Sequence, residues 1–170
     1  MTTNRGVFEA ATGDEPPLPE GDVEQRSREV RAALDGLLQI RRLSGGTGAG
    51  AGVGAGADDV RRRPAEWERR QPVRAVALAL EAAGITPSAV DTSGVRVSTG
   101  YRVTAGERLG TTVVEWVGPP GGGAAQEEES ALRGCVPALE RLGWEALLYR
   151  GPRRRRFLEV EPLGGGAPSA

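Results

Sequence analysis

Twice between residues 72 and 162 an apolar helical stripe stops at a glycine, and two stretches of alternating apolar residues follow. The first stripe is Val73, Val76, Ala77 and Leu80. Pro72 opens it, where a missing N–H costs nothing, and Gly84 sits where a left-handed cap belongs, so the pattern predicts a helix over 72–83. Tyr101, Val103 and Ala105 then alternate with Arg102 and Thr104. The chain turns at 106–110 and returns over 111–117, the signature of a hairpin. After the Pro/Gly break at 119–123, Leu132, Cys135, Val136, Leu139 and Leu142 make a second stripe and predict a helix over 125–142. Pro137 inside it predicts a kink or a split near Arg133. Gly143 ends it, and strands at 145–150 and 155–161 form a second hairpin around Gly151 and Pro152.

Helix, hairpin, helix, hairpin is the order of an α+β fold. A four-stranded antiparallel sheet with two helices on one face buries both stripes with short connections, giving a two-layer sandwich in the order αββαββ. That order is a circular permutation of the ferredoxin-like βαββαβ plan. The segment 79–85 also parallels 138–144, a short likeness between the two halves. Val95 and Val97 add a short edge piece.

The chain ahead of this domain reads differently. Residues 1–21 are expected to form a disordered leader, with Asp14, Glu15, Pro16 and Pro17 and no apolar core. Asp22 suits an N-cap, with Gln25 in the capping-box position. Val30, Leu34, Leu37, Leu38 and Leu43 then place one apolar stripe on an amphipathic helix over 22–43, which is marginal in water unless covered. Residues 44–57 are a Gly/Ala linker whose ends lie roughly 20 Å apart as a flexible coil. It is not a phosphate-binding loop: no Gly-Lys-Ser/Thr follows, the dinucleotide spacing needs Ala51 in place of a glycine, and a helix precedes it. Asp58 and Asp59 can cap a charged helical segment at 60–70, interrupted by Pro64. The α+β domain is therefore placed at 58–162, its compact part at 72–162, and residues 163–170 are a flexible tail.

Composition narrows the chemistry. The chain has 170 residues, no His, one Cys and a net charge of −1. Histidine-based nucleophilic catalysis, His-ligated metals and a disulfide framework are excluded, and no global field draws the chain to nucleic acid or membranes. All 22 basic residues are Arg, so clusters of Arg carry less meaning than usual. Glu127, Glu128 and Glu129 fall in a first helical turn, where the dipole favours them, and point in different directions. Cys135 lies on an interior stripe, and Trp116 and Trp144 read as core. No secretory signal or membrane span is legible. The expectation is a cytoplasmic protein without catalytic, cofactor or metal sites.

Two surfaces remain as candidates. Strand alternation puts Val114, Trp116, Ala146, Leu148, Leu158 and Val160 on one sheet face, leaving Val113, Val117, Leu147, Tyr149 and Phe157 on the other. A water-facing sheet should be polar there, so this largely apolar face needs a cover. The helix at 22–43, a second copy of the chain and a different protein partner are the candidates. The leading expectation is a non-enzymatic interaction or regulatory protein using that face. The alternative is a nucleic-acid-binding module in which Arg153, Arg154, Arg155 and Arg156 meet phosphates beside Tyr149 and Phe157.

The stretch 142–162, with Gly143-Trp144 leading into the four arginines and Leu158-Glu159-Val160-Glu161, resembles short uncharacterised proteins of high-GC actinobacteria. The likeness is confined to residues 72–162. It implies a small bacterial protein and carries no activity and no functional residue.

Overall fold

Six consecutive residues of one short helix, from Ala75 to Leu80, are buried, and the layers around that helix explain why. A helix apolar all round must be covered all round. In the computed structural model, which describes residues 8–45 and 56–164, this helix is α4 (Pro72–Ala82). One side of it meets the main sheet and another meets α1 (Val23–Gly45), whose Val30 and Leu37 join the core.

The chain is α+β. After α1 come two one-turn helices, α2 (Ala57–Arg61) and α3 (Glu66–Arg70), separated at Pro64 as the sequence suggests. Then α4 leads to a small ribbon, β1 (Ala89–Val90) with β2 (Arg96–Ser98), and to the hairpin β3 (Gly100–Ala105) and β4 (Thr112–Val117). Helix α5 (Ala124–Glu140) precedes the second hairpin, β5 (Trp144–Arg150) and β6 (Arg156–Pro162). The four long strands form one antiparallel sheet in the order β3-β4-β6-β5. Val95 and Val97 do not extend this sheet, because β2 pairs with β1 in a separate two-stranded ribbon.

Helices α4 and α5 cover one face of the sheet. Under them Val103, Val114, Ala146, Leu158 and Val160 are buried against Leu80, Leu132, Cys135, Leu139 and Trp144. Each Leu sealed in this way is stabilised by about 2–3 kcal/mol relative to exposure.

Four further sequence readings need correction. The sequence predicts a loose leader through residue 21, yet the strap from Phe8 to Glu15 is bonded along the domain. Thr12 O accepts the Val103 N–H at 2.7 Å, and Glu15 O accepts the Val90 N–H at 3.0 Å. Ala11 O accepts the Tyr101 hydroxyl at 2.8 Å. The strap thus serves an edge of the sheet that would otherwise present an unpaired N–H. A Cβ at Gly13, where φ is +99°, would collide with the Tyr101 carbonyl, so this close approach requires glycine. Asp14 bonds Arg96 at 2.6 Å and Arg102 at 3.0 Å. Burial alone would raise its carboxyl, but the hydrogen bonds from the two guanidinium groups outweigh burial and hold it below the usual value of 3.8.

Helix α1 does not cover the second sheet face; it packs on α4, where Arg26 bonds Glu81 at 2.6 Å. Pro137 does not split α5, which runs unbroken through it, because a proline this near the C-terminus removes only one late hydrogen bond. Gln25 donates to Glu29 rather than reaching back to Asp22. The seven residues before the strap, the linker at 46–55 and the tail at 165–170 lie outside the described residues.

Candidate functional site

The outer sheet face follows from register. On β5 and β6, Tyr149 lies opposite Phe157, Leu147 opposite Glu159, and Glu145 opposite Glu161. On β4, Val113 lies between Thr104 and Glu159, and Glu115 is opposite Arg102. Tyr149 and Phe157 stack at 5.8 Å between ring centroids. Leu147 is 47% exposed and Tyr149 43%, whereas their inward neighbours Ala146 and Leu148 are buried and half-buried respectively. Among the described residues no element packs over this strip.

The face is more polar than the alternation of apolar residues suggests. Arg108, on the β3–β4 turn, reaches Glu159 at 2.5 Å and Glu161 at 3.4 Å. Its hydrogen bond to Glu159 holds the guanidinium above its ordinary pKa. Arg102 lies 3.8 Å from Glu115. Val113 and Phe157 are half-buried, and Val117 is buried. Val117 pairs with Gly100, where a Cβ would strike the chain at Thr86 and Pro87, so that corner of the face is closed. Of the five apolar residues expected there, Leu147, Tyr149 and Phe157 make the accessible strip, Val113 flanks it, and Val117 is not available.

The four arginines occupy the β5–β6 turn, where Pro152–Arg154 form a single 3-10 turn. Arg153 and Arg154 are both left-handed, at φ of 60° and 62°, a backbone state costing an L-residue about 1–2 kcal/mol. The four do not act alike. Arg156 lies 3.1 Å from Glu129, and Arg155 lies 3.8 Å from Glu128. Arg153 and Arg154 have no carboxylate partner among the described residues. All four line a cleft of about 760 Å3 facing the Gly/Pro turn at 118–123 and the first turn of α5.

Sequence reasoning missed Glu128. It is buried and accepts the Arg156 N–H at 2.6 Å, tying the second hairpin to α5. A run of three glutamates gives no sign of which one turns inward. Glu129 behaves as a surface residue; its bond from Arg133, with Arg156 nearby, lowers its pKa. Trp116 lies near the solvent side of the core, its indole N–H 3.4 Å from Glu127, while Trp144 is fully buried.

A second cleft, of about 870 Å3, opens between the strap, the start of α4 and the β3–β4 turn, with Ala10, Val73 and Leu109 on its walls. Cys135 is buried, and burial pushes its thiol up to about 11, which suppresses the thiolate. Among the described residues no group of three or more Cys, Asp and Glu is placed to hold a metal ion, and no helix is long and apolar enough to cross a membrane.

The class these features define is a small α+β protein with one sheet face sealed by helices and the other partly apolar and open. The chain matches no known family model, no curated protein and no solved structure.

Proposed function

We propose that this is a non-catalytic, cytoplasmic interaction protein that binds a protein partner through the outer sheet face, centred on Leu147, Tyr149 and Phe157. One observation carries the reading. Two large apolar side chains stand side by side on β5, nearly half exposed, with Phe157 stacked against one of them and nothing described above them. A water-facing sheet gains from polar residues at such positions, and contiguous exposed apolar surface marks interaction sites. The absence of histidine and the inert setting of Cys135 support a binding role over catalysis. We read the strand order as the circularly permuted ferredoxin-like plan; the order β3-β4-β6-β5, with a long helix before each hairpin, supports it.

The test is a variant carrying Leu147→Asp and Tyr149→Asp. Both side chains are exposed, so the fold should survive. At about 1 µM protein, where weak complexes are dissociated, the native chain is expected to enhance anilinonaphthalene sulfonate fluorescence and the variant to lose most of that signal. Equal dye binding by both chains would overturn the reading.

A second reading has its own observation. Arg153 and Arg154 have no carboxylate partner among the described residues and stand beside a cleft, with two further arginines next to them. Phosphates of a nucleic acid suit that arrangement. Such binding should be strongly salt-dependent and fall when the four arginines become Ser. No retention on a polyanion column at low salt would end this reading.

A further inference from the structure

We infer that the free edge of β5 takes an extended segment of a different protein as a fifth strand, with apolar side chains against Leu147 and Tyr149 and a basic side chain against Glu145. The inference rests on the reading of the outer face as an interface, and it follows from the direction of the main-chain hydrogen bonds across the sheet.

In an antiparallel sheet, successive residues of a strand bond to opposite sides. Tyr101 and Val103 send their N–H groups away from β4, to Thr86 and Thr12. Arg102 and Thr104 therefore face β4 at Glu115 and Val113, which leaves Thr112 and Val114 to face β6 at Val160 and Leu158. Phe157, Glu159 and Glu161 then face β5 at Tyr149, Leu147 and Glu145. Bonds just beyond both ends of this ribbon have the same phase: Gly151 N–H to Arg155 O at 2.7 Å, and Leu163 N–H to Gly143 O at 2.8 Å. Ala146, Leu148 and Arg150 thus point their N–H and C=O groups off the sheet, and among the described residues nothing bonds them.

The two edges of the sheet differ. At β3 the strap takes the outward N–H of Val103. At β5 no such segment is described, although Arg62 lies against the chain at Gly143, just ahead of the strand. The strand Trp144–Arg150 pairs with β6 in unbroken register and contains no proline. Its charges, Glu145 and Arg150, stand near its ends, and Ala146, Leu147, Leu148 and Tyr149 between them are apolar. Prolines, bulges, central charges and covering segments are what keep sheet edges from pairing, and an edge without them is a template for another strand. Strand addition is also a common mode of peptide recognition, in which the main chain supplies affinity and alternate side chains supply specificity.

Charge selects the occupant. Glu145 lies directly opposite Glu161, an unfavourable pairing of like charges. Arg108 reaches Glu159 and Glu161, while Glu145 has no cation within bridging distance among the described residues. A fifth strand sets one residue directly beside Glu145 on the outer face, and a basic residue there offsets the excess. A second copy of β5 has none to offer. In the antiparallel pairing that a two-fold axis imposes, outer-face residues meet outer-face residues, and on β5 these are Glu145, Leu147 and Tyr149. The segment is therefore one in which two apolar residues and then Arg or Lys occupy alternate positions, laid antiparallel to β5.

The test titrates the peptide acetyl-Thr-Val-Thr-Val-Thr-Arg-Thr-amide into the isotope-labelled full chain at low salt, followed by NMR and amide hydrogen exchange. Without peptide, the Leu147 and Tyr149 amides should exchange slowly and those of Ala146 and Leu148 fast; with peptide, the last two should become protected. N-methylation of the third and fifth peptide amides, which face β5, should weaken binding at least about tenfold, and methylation of the second and fourth should change it less than about twofold. Replacing the peptide's Arg by Glu should weaken binding about fivefold, and Glu145→Arg should reverse that preference. The inference is overturned by slow exchange of Ala146 and Leu148 in the chain alone, by equal losses from the two methylation patterns, by a charge preference indifferent to Glu145→Arg, or by no binding at about 1 mM peptide. Protection that grows with protein concentration alone would assign the edge to a second copy and overturn it too. If both methylated peptides bind alike and shift residues 147 and 149, only strand addition is lost; if neither peptide nor dye moves those residues, the interface reading fails as well.

Discussion

Arg41 and Glu68 form a fork-to-fork pair sealed from solvent: Nη2 lies 2.6 Å from Oε1 and Nε 2.8 Å from Oε2, with the side chains 1% and 0% exposed. Arg41 belongs to α1 and Glu68 to α3, so the pair clamps the N-terminal helix to the chain beyond the Gly/Ala stretch. Glu68 also accepts the Ala65 N–H at 2.7 Å, and Arg41 also donates to the Arg61 carbonyl. Most of the donors and acceptors of both groups are thereby used, which is what a buried ion pair needs to offset its desolvation.

Glu68→Ala should therefore lower unfolding stability by about 3–5 kcal/mol, because it strands a buried guanidinium. Arg41→Met with Glu68→Leu should cost less than either single loss. Urea denaturation followed by circular dichroism measures both, and a change below about 1 kcal/mol for Glu68→Ala would contradict the burial of the pair.

The strap should depend on two side chains. Tyr101→Phe removes the donor to Ala11 O and should cost about 1–2 kcal/mol while accelerating proteolysis within 8–15. Asp14→Asn should cost less than about 1 kcal/mol, since Asp14 is more than a third exposed and solvent screens its pairs. Because the Asp14 carboxyl is held below its unfolded value of 3.8, its contribution is present above that pH. It disappears as pH falls through the lower folded value. Native chain and Asn variant should then converge in stability, and a difference that grows on acidification would refute the assignment.

Alkaline pH should destabilise the protein through its core. Burial raises the Cys135 thiol from an ordinary 9.0 to about 11, and burial, followed by the nearby Glu81 charge, raises the Tyr101 hydroxyl above its ordinary 10.0. Both groups favour the folded state fully below their unfolded values, and that contribution is lost as pH rises past them. The melting temperature should be flat to about pH 8 and fall beyond about pH 9, less steeply in Cys135→Ala after correction for its lower baseline. At neutral pH, Cys135 should react with a thiol reagent only at the rate of unfolding.

The helices at 72–82 and 124–140 and both hairpins were legible because each repeats a local signal, a stripe at 3.6 residues or an alternation at 2. Strand alternation also separated Ala146 and Leu148 from Leu147 and Tyr149. Pairings without a period were not legible. The strap is fixed by contacts such as Ala11 O with Tyr101, ninety residues apart, and a run of polar and proline residues reads as loose until its partners are in place. The side on which α1 docks depended on Arg26 with Glu81 and Arg41 with Glu68, and no stripe reports a distant carboxylate. Val117 alternated correctly but lost its exposure to the chain crossing Gly100. The charges at Glu115 and Glu159 were visible in sequence, but their weight against the apolar residues emerged only from cross-strand register.

The central claim is that the outer face around Leu147, Tyr149 and Phe157 is the working surface, and residue-by-residue mapping of an apolar probe tests it most directly. Isotope-labelled protein at about 10 µM, titrated with anilinonaphthalene sulfonate and followed by NMR, should show its largest amide shifts at 147–149 and 157. Largest shifts at Val73 and Leu109, in the cleft beside the strap, or no localised shifts at all, would contradict the account.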